Sequence, residues 1–305
     1  MPGIINTGSF PRALWPGVNA WFGQSYKEWT PKWSHMFDKY KSDKNYEIDV
    51  QEVGFGAAQV KPQGGSVVYD SLTQGYESRY NHITYGLGFV VTKEELEDNL
   101  YMKLGESRSK KLARAFNLAK EYNAASIYNN AFSGSYVGGD GVSLLNTAHP
   151  RTSGGTFANK LAVDADLSEQ AIEDMSILID NTVDDRGFYV SLSMKELIVS
   201  PSNKFNSQRI LNSVKQSGTA NNDINVLREM GAFPDGVLVS PYININPRAW
   251  YVRTDAPDGL KYFDRVALSF DQQNDFDTTN FKAMARERYS FGWTDPRGLF
   301  GSNAP

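Results

Sequence analysis

The 305-residue sequence contains no cysteine. This absence excludes disulfide bonds, thiolate catalysis and cysteine-ligated zinc, so burial and strand pairing alone must hold the fold together. No apolar run approaches the ~20 residues that a membrane-spanning helix needs. The N-terminus also lacks the basic segment and long apolar core of a secretory signal. We therefore expect a protein that is made and folds in a cytoplasm, with no membrane partner.

Neither sign of charge dominates the sequence. There are 31 Lys and Arg residues against 35 Asp and Glu, giving a net charge of −4, which provides no global attraction to nucleic acid but leaves room for a local basic face. A hydrophobic fraction of 40% is typical of a globular protein. The aromatic fraction of 13% favours strands and contact surfaces.

Motifs of catalysis and cofactor binding are missing too. The sequence has no Gly-x-Ser-x-Gly nucleophile elbow, no P-loop and no dinucleotide fingerprint after a strand. The three histidines, His35, His82 and His149, lie in three separate regions; one can meet a carboxylate, but a metal site would need further ligands from elsewhere. We expect no catalytic residues, no metal and no cofactor.

Residues 1–45 look unlike a domain core. They hold four of the six tryptophans, Trp15, Trp21, Trp29 and Trp33, interrupted by prolines that prevent long regular elements. Large aromatic anchors on an irregular arm favour packing against a surface, either of a neighbouring molecule or of the arm's own core.

Residues 46–91 switch to a period of two. Apolar and polar residues alternate in Tyr46–Val50 and again in Ile83–Phe89, and Pro62–Gly65 between them is a turn signal. The pattern predicts a long two-stranded excursion. Because an isolated hairpin is marginally stable, we expect these two strands to pack against a further surface.

A long helix is predicted for residues 92–128. Thr92 and Glu95 form a capping box, and Gly105 is a point where the helix could bend or split. Its basic residues are read either as a solvated face or as a surface facing a polyanion. They are Lys103, Arg108, Lys110, Lys111, Arg114 and Lys120.

The remaining middle of the chain mixes helices and strands. An amphipathic helix follows Asp166, a helical piece spans about Phe205–Val214, and the short apolar runs Glu196–Val199 and Val237–Val239 read as strands. This mixture, without a βαβ cadence, predicts an α+β fold.

Near the C-terminus, Phe281–Trp293 again alternates, with apolar residues on one face and Arg286 and Arg288 on the other. A turn at Asp295–Gly298 ends this strand, since proline and glycine occupy their preferred type I positions. The guanidinium groups suit carboxylate pairing, and the acidic stretch Asp255–Asp277 is the candidate partner, within the chain or on a neighbour.

Three segments carry a resemblance: NFKAMARERYSFGWTDPRGLFGS, TDAPDGLKYFDR and VSLLNTAHP. They resemble the major capsid proteins of tailed bacteriophages, especially the Mu-like major head subunit group, which have the HK97-type shell fold. The resemblance extends over essentially the whole chain. It implies an N-terminal arm (1–45), an E-loop hairpin (46–91), a P-domain with its spine helix (92–165, helix 92–128), mainly A-domain (166–250) and C-terminal strands returning to both (251–305).

The resemblance also implies a function. It indicates a structural protein that self-assembles as pentamers and hexamers into an icosahedral shell around double-stranded DNA, in a virion assembled in the host bacterial cytoplasm. The four arm tryptophans, Arg286 and Arg288 would make assembly contacts, and the basic helix residues would face DNA. Further partners would be a portal and, where the shell is reinforced, decoration proteins. Scaffolding would come from a separate protein or from an N-terminal extension that has already been removed. No crosslinking residues can be assigned.

Two alternatives stay open at this stage. An encapsulin-like compartment has the same architecture but encloses cargo proteins. A β-rich carbohydrate-binding or hydrolase module would use the aromatics for stacking, and would exist as a small defined oligomer rather than a shell.

Overall fold

The computed structural model describes residues 22–24, 30–92, 94, 101–216, 223–275 and 280–304. The helices are α1 (Trp33–Met36), α2 (Tyr101–Asn129), α3 (Glu169–Asp180), α4 (Lys204–Asn212) and α5 (Val226–Glu229), with short 3-10 turns at Pro201–Asn203 and Pro296–Gly298. The strands are β1 (Asp38–Lys41), β2 (Tyr46–Val53), β3 (Thr73–Asn81), β4 (Ile83–Val91), β5 (His149–Pro150), β6 (Thr156–Phe157), β7 (Met194–Val199), β8 (Val237–Val239), β9 (Trp250–Thr254), β10 (Leu260–Asn274), β11 (Phe281–Trp293) and β12 (Leu299–Ser302). Helices and sheets are mixed as the α+β prediction requires.

The first sheet has the strand order β1-β10-β11-β4. Its centre is the long antiparallel pair β10–β11, with β4 antiparallel to β11 and β1 parallel to β10. Helix α2 packs on it, since Leu112 and Phe116 of the helix share a buried cluster with Ala285 of β11. Burial of such apolar side chains is the main stabilising contribution at this junction.

Strand β11 confirms the predicted alternation. Every second residue from Phe281 to Tyr289 is buried, whereas Lys282, Met284 and Arg286 between them are exposed. Because successive side chains of a strand point to opposite faces, the apolar face lies on the helix and the basic face points outward.

The second sheet has the order β12-β9-β7-β8 and packs against α3, α4 and α5. Helix α3 is the amphipathic helix predicted after Asp166. The Ser168 hydroxyl caps its first turn by accepting a hydrogen bond from the Ala171 amide at 3.2 Å. The two short apolar runs predicted as strands, β7 and β8, are parallel neighbours in this sheet.

The C-terminal end of α2 joins the two cores. Tyr128 is fully buried there, and its ring meets Tyr251 of the second sheet edge to face at 5.3 Å. The Tyr251 hydroxyl donates to the Tyr128 carbonyl at 2.9 Å, and the Tyr128 hydroxyl donates to the Met36 carbonyl at 3.3 Å. One helix end thus holds both sheets and the N-terminal segment together.

The predicted single hairpin over residues 46–91 is wrong in its pairing. Strand β2 pairs with β3, not with β4, and β4 instead pairs with β11 in the first sheet. Only His82 separates β3 from β4. Its buried ring is held between the Ser42 and Ser290 hydroxyls, each at 2.9 Å, which fixes the point where the chain leaves the hairpin.

Helix α2 is continuous from Tyr101 to Asn129, so Gly105 does not split it. At 1.5 Å per residue the helix is about 43 Å long. The predicted capping residue Glu95 lies outside the described residues. Among the helices that the structure describes, none is long and apolar enough to cross a membrane.

The predicted turn at Asp295–Gly298 is confirmed. The Asp295 carboxylate accepts from the Arg297 amide at 2.9 Å, and the Gly298 amide donates to the Asp295 carbonyl at 3.2 Å. A Cβ atom at Gly298 would lie 2.6 Å from the Cα of Gly259, so this close approach of two backbones requires glycine.

Candidate assembly and polyanion-facing surfaces

The basic residues of α2 fall on more than one face of the helix. A buried stripe of Ser109, Leu112, Phe116 and their neighbours at helical spacing faces the first sheet. The residues exposed on the other side are Lys110, Lys111 and Arg114. Arg108 is half-buried and donates from Nη1 to the Val90 carbonyl at 3.0 Å, while the side chain of Lys103 lies outside the described residues.

Lys120 does not belong to an exposed basic face, which corrects that prediction. Its ammonium forms an ion pair with the Glu287 carboxylate of β11 at 2.7 Å, and both side chains are almost completely buried. The ammonium also lies 5.4 Å from the Tyr289 ring and 5.9 Å from the Trp33 ring. Burial raises the pKa of Glu287, and the Lys120 charge opposes that rise.

Trp33 is the one arm tryptophan within the described residues, and it is 6% exposed. Its ring packs against Tyr262 at 4.5 Å and edge-on against Phe291 at 5.6 Å, both in the first sheet. This indole therefore packs in the core of its own chain and not against a neighbouring molecule. Trp15, Trp21 and Trp29 lie outside the described residues.

The two predicted contact arginines differ. Arg286 is exposed on the outer face of β11. Arg288 is half-buried and donates to the His82 carbonyl at 3.2 Å and to the Asn45 side-chain oxygen at 2.6 Å, so it fastens the hairpin root rather than meeting a carboxylate. On the same strand, Lys282 does pair with the acidic stretch, through Asp275 at 2.5 Å.

Arg297 is the arginine that sequence reasoning missed. It is buried, stacks over the Phe157 ring at 4.3 Å, and lies between the carboxylates of Asp295 (3.2 Å) and Asp185 (3.6 Å). Burial raises the pKa of Asp295, and the Arg297 guanidinium opposes the rise. The turn motif places Arg297 directly beside Asp295, but the proline and glycine that predict the turn say nothing of this arginine's partners.

The hairpin β2–β3 ends in a long connecting stretch, residues 54–72, that carries exposed apolar side chains. Val60 is 95% exposed and Tyr69 is 92% exposed. Such a concentration of exposed apolar side chains in one segment favours an interaction surface. The other large apolar side chains exposed along this stretch are Phe55, Val67, Val68 and Leu72.

The root of the hairpin is held by polar contacts to the first sheet. The buried ammonium of Lys261 pairs with Asp49 of β2, and the Thr294 hydroxyl donates to the same carboxylate at 2.5 Å. On β3, the Tyr80 hydroxyl meets the Thr294 hydroxyl at 2.7 Å. The hairpin is thus anchored at one end and displays apolar surface at the other.

A second exposed apolar group lies around α4 and α5, at one end of the second sheet. Phe205 and Met230 are each more than two thirds exposed, and the exposed Val214 and Ile224 lie between them along the chain. These side chains are not part of the core of the second sheet, to which α4 and α5 contribute the buried Ile210 and Leu227.

The sequence model of the phage capsid protein family matches residues 75–301, well over half of the chain. The chain belongs to the phage capsid protein family. A search of curated proteins by sequence finds no relative.

Solved structures show that this capsid protein has the HK97-type fold. It is similar to a virus-like particle from Pyrococcus furiosus (TM-score 0.55, 13% identity, 94% of this chain and 98% of that chain). It is also similar to the capsid of a native GTA particle (TM-score 0.55, 11% identity, 91% and 92%) and to Mycobacterium phage Che8 (TM-score 0.51, 13% identity, 90% and 92%). At these identities the likeness concerns the fold.

In the capsid protein, the segment VSLLNTAHP is fastened by its histidine. The buried His149 ring contacts the Asp140 carboxylate through Nδ1 at 2.6 Å and the Asn159 side-chain oxygen through Nε2 at 3.0 Å. The Asn159 amide in turn donates to the Leu144 and Pro296 carbonyls at 2.7 and 3.0 Å. The prediction that one histidine meets a carboxylate is confirmed, and the arrangement locks a loop in place.

Within the described ranges, no three His, Asp or Glu side chains come together as a metal-ligand group. The family match instead identifies a structural component of a virion capsid.

Proposed function

We propose that copies of this capsid protein self-assemble, as pentamers and hexamers, into a closed icosahedral shell that encloses double-stranded DNA. The observation that carries the proposal is the hairpin: it is anchored to its own subunit at the root and exposes Val60 and Tyr69 almost completely on residues 54–72. Apolar surface on an extended segment gains stability when a neighbouring subunit covers it. Many such contacts, linked through a closed symmetric assembly, make a shell stable even where each contact is modest.

The exposed group around Phe205 and Met230 supports the same proposal from a second region. A subunit in a ring needs contact surfaces besides the hairpin, and this apolar group lies on the other sheet. Two separate surfaces on one chain are what a repeating two-dimensional lattice of subunits requires, because a single self-complementary surface closes into a dimer.

For the enclosed DNA, the support comes from the exposed face of α2. Lys110, Lys111 and Arg114 form a local cluster of positive charge on a chain whose net charge is −4. Such a cluster attracts the phosphate backbone without reading bases. Lys120 is excluded from this role by its burial, so the proposed DNA-facing set is smaller than the sequence prediction.

Membership of the phage capsid family favours a virion over an encapsulin-like compartment. The virus-like particle from Pyrococcus furiosus shares only the fold at 13% identity, so it does not alter that preference. We place assembly in the host bacterial cytoplasm, with a separate scaffold protein, a portal and, where the shell is reinforced, decoration proteins as partners.

The decisive experiment is sedimentation of the purified chain, alone and with a co-expressed candidate scaffold protein, followed by negative-stain electron microscopy of the fast fraction. We expect uniform closed particles, or rings that close when scaffold is added. A small monodisperse species under every condition would reject the proposal.

The DNA-facing surface is tested separately by the triple variant Lys110→Gln, Lys111→Gln, Arg114→Gln. Removing three phosphate contacts should lower the slope of log affinity against log salt by up to about 2.7 for binding to duplex DNA, since each contact contributes about 0.9. Shells of the variant should form normally and retain less DNA, measured by absorbance of purified particles.

The matched control removes the same number of charges at Lys39, Lys41 and Lys44, which are exposed and lie outside α2 and outside both proposed apolar contact surfaces. It should leave the salt slope unchanged. Equal DNA retention by the α2 variant and the wild type would show that this helix face does not contact DNA.

A further inference from the structure

A second attachment holds the hairpin far from its root. Residues 54–72 form no strand, yet Arg186, which belongs to the loop between α3 and β7, reaches this stretch. Its Nη1 pairs with the Asp70 carboxylate at 2.6 Å, and its Nη2 donates to the Ser71 carbonyl at 2.8 Å. One guanidinium therefore holds both a side chain and the main chain of the returning arm.

Asp70 also connects the two arms of the hairpin. Its carboxylate accepts the Gly56 amide of the outgoing arm at 2.8 Å and the Ser71 amide at 2.9 Å. The Gly56 hydrogen bond is the main cause that lowers the pKa of Asp70, followed by Arg186. A Cβ atom at Gly56 would lie 3.2 Å from Arg186 Nη1, so glycine lets the main chain approach the ion pair.

The loop presents Arg186 in a fixed position. The Asp184 carboxylate accepts the amides of Arg186 at 2.9 Å and Phe188 at 2.8 Å, and Gly187 has a φ of 91°, in the region that favours glycine. A lone exposed ion pair contributes little to stability. Here the carboxylate also accepts two main-chain amides, and the arginine is held by its own turn, so the contact restricts a segment with no other regular structure.

We infer that Arg186 is a positioning residue, which holds the hairpin in one orientation on its own subunit before any neighbour is met. The inference rests on the proposed assembly function. Phe55, Tyr69 and Leu72 directly adjoin the clamped residues Gly56, Asp70 and Ser71, so fixing the clamp fixes the exposed apolar side chains as well. Ordering them beforehand lowers the conformational entropy that assembly must otherwise remove.

The first test is chymotrypsin cleavage of unassembled full-length subunits after Phe55 and Tyr69, with cleavage after the exposed Phe205 as internal reference. In Arg186→Ala we expect cleavage after Phe55 and Tyr69 to be about tenfold faster, because proteolysis follows the population of the opened segment. In Asp70→Ala the same increase is expected after Phe55, where the residues of the cleaved bond are unchanged. The control, Arg248→Ala, removes a more exposed arginine–aspartate pair, the one with Asp166, and should leave the hairpin rates unchanged.

The second test follows assembly by light scattering. Arg186→Ala should form shells of the same size as the wild type but several-fold more slowly, and Arg186→Lys, which keeps the positive charge beside Asp70 but not the planar pair of donors, should recover part of the rate. Equal hairpin cleavage in wild type and Arg186→Ala would overturn the clamp itself. Faster cleavage with an unchanged assembly rate would overturn its positioning role. If the wild type never assembles, the proposed function fails, while the cleavage experiment still reports on the clamp.

Discussion

The α2–β11 junction and the hairpin distribute charge and apolar surface in opposite ways. At the junction, the ion pair Lys120–Glu287 is buried among aromatic rings. In the hairpin, apolar side chains such as Val60 and Tyr69 are exposed. The first region satisfies its costly charges within one subunit, whereas the second leaves its apolar side chains in water.

This contrast separates what folds the subunit from what joins subunits. A buried ion pair costs desolvation energy, and this cost is recovered only in the correct geometry, so it favours one register of helix on strand. The exposed hairpin residues contribute little to folding of the isolated chain, because they bury little area there. Substitutions in the two regions should therefore have opposite consequences for stability and for assembly.

The largest expected effect comes from breaking the buried pair. Lys120→Met should lower the free energy of unfolding by about 3–5 kcal/mol, because it leaves the Glu287 carboxylate buried without its counter-charge. The measurement is urea denaturation of unassembled subunits.

Two further variants make this result interpretable. Adding Glu287→Leu to Lys120→Met should restore most of the lost stability, since no buried charge then remains. Lys44→Met, which breaks an ion pair between the exposed Lys44 and the half-buried Glu47, should cost less than about 1 kcal/mol. A loss as small as that for Lys120→Met would show that the buried pair is not structurally important.

A buried acid without such a close partner should show the next largest effect. Glu196 of β7 is buried, and this raises its pKa from 4.5 to about 7; Arg253 opposes the rise, and Asp235 adds to it. Arg253 pairs directly with Asp38 at 2.6 Å instead. The folded state therefore binds a proton more tightly than the unfolded state between pH 4.5 and 7, so the contribution of Glu196 to stability falls as pH rises through that window.

Glu196→Gln tests this directly. At pH 8 the variant should be more stable than the wild type by roughly 2 kcal/mol, since it removes an ionised carboxylate from a buried position. At pH 5 the difference should largely disappear. Chemical denaturation of unassembled subunits at the two pH values measures it, and a difference that does not depend on pH would contradict the assignment.

The buried ion pair between Lys120 and Glu287 could have been predicted from the sequence. Leu112, Phe116 and Lys120 are spaced by four residues, which places the lysine on the apolar stripe of α2, and Glu287 falls on the apolar face of β11. Opposite charges on two facing apolar surfaces predict a buried pair. Grouping all the basic residues of α2 as one surface ignores which face of the helix each occupies, and so misses this pair.

Strand pairing and the fate of Trp33 were less accessible. Alternation identified β2, β4 and β11 as strands, but a period of two says nothing about which strand is the partner. The polar strand β3 has no clear apolar alternation, so the sequence pattern predicts β4 as the partner of β2, whereas β3 takes that place in the structure. Trp33 lies two residues after Pro31, in a segment where no hydrophobic periodicity shows which way its side chain points. Only the tertiary contacts with Tyr262 and Phe291 show that it is core.

The smallest expected effect on stability belongs to the hairpin, and it sharpens the comparison most. The paired substitutions Val60→Asp and Tyr69→Asp should change the free energy of unfolding by no more than about 0.5 kcal/mol, since both side chains are already exposed. The same variant should form few or no shells by sedimentation, because charges would have to be buried between subunits. Val163→Asp, at a residue 81% exposed outside the hairpin, should preserve both properties. Normal shells from the hairpin variant would mean that subunits are joined by other surfaces, leaving the apolar group around Phe205 and Met230 as the next to change.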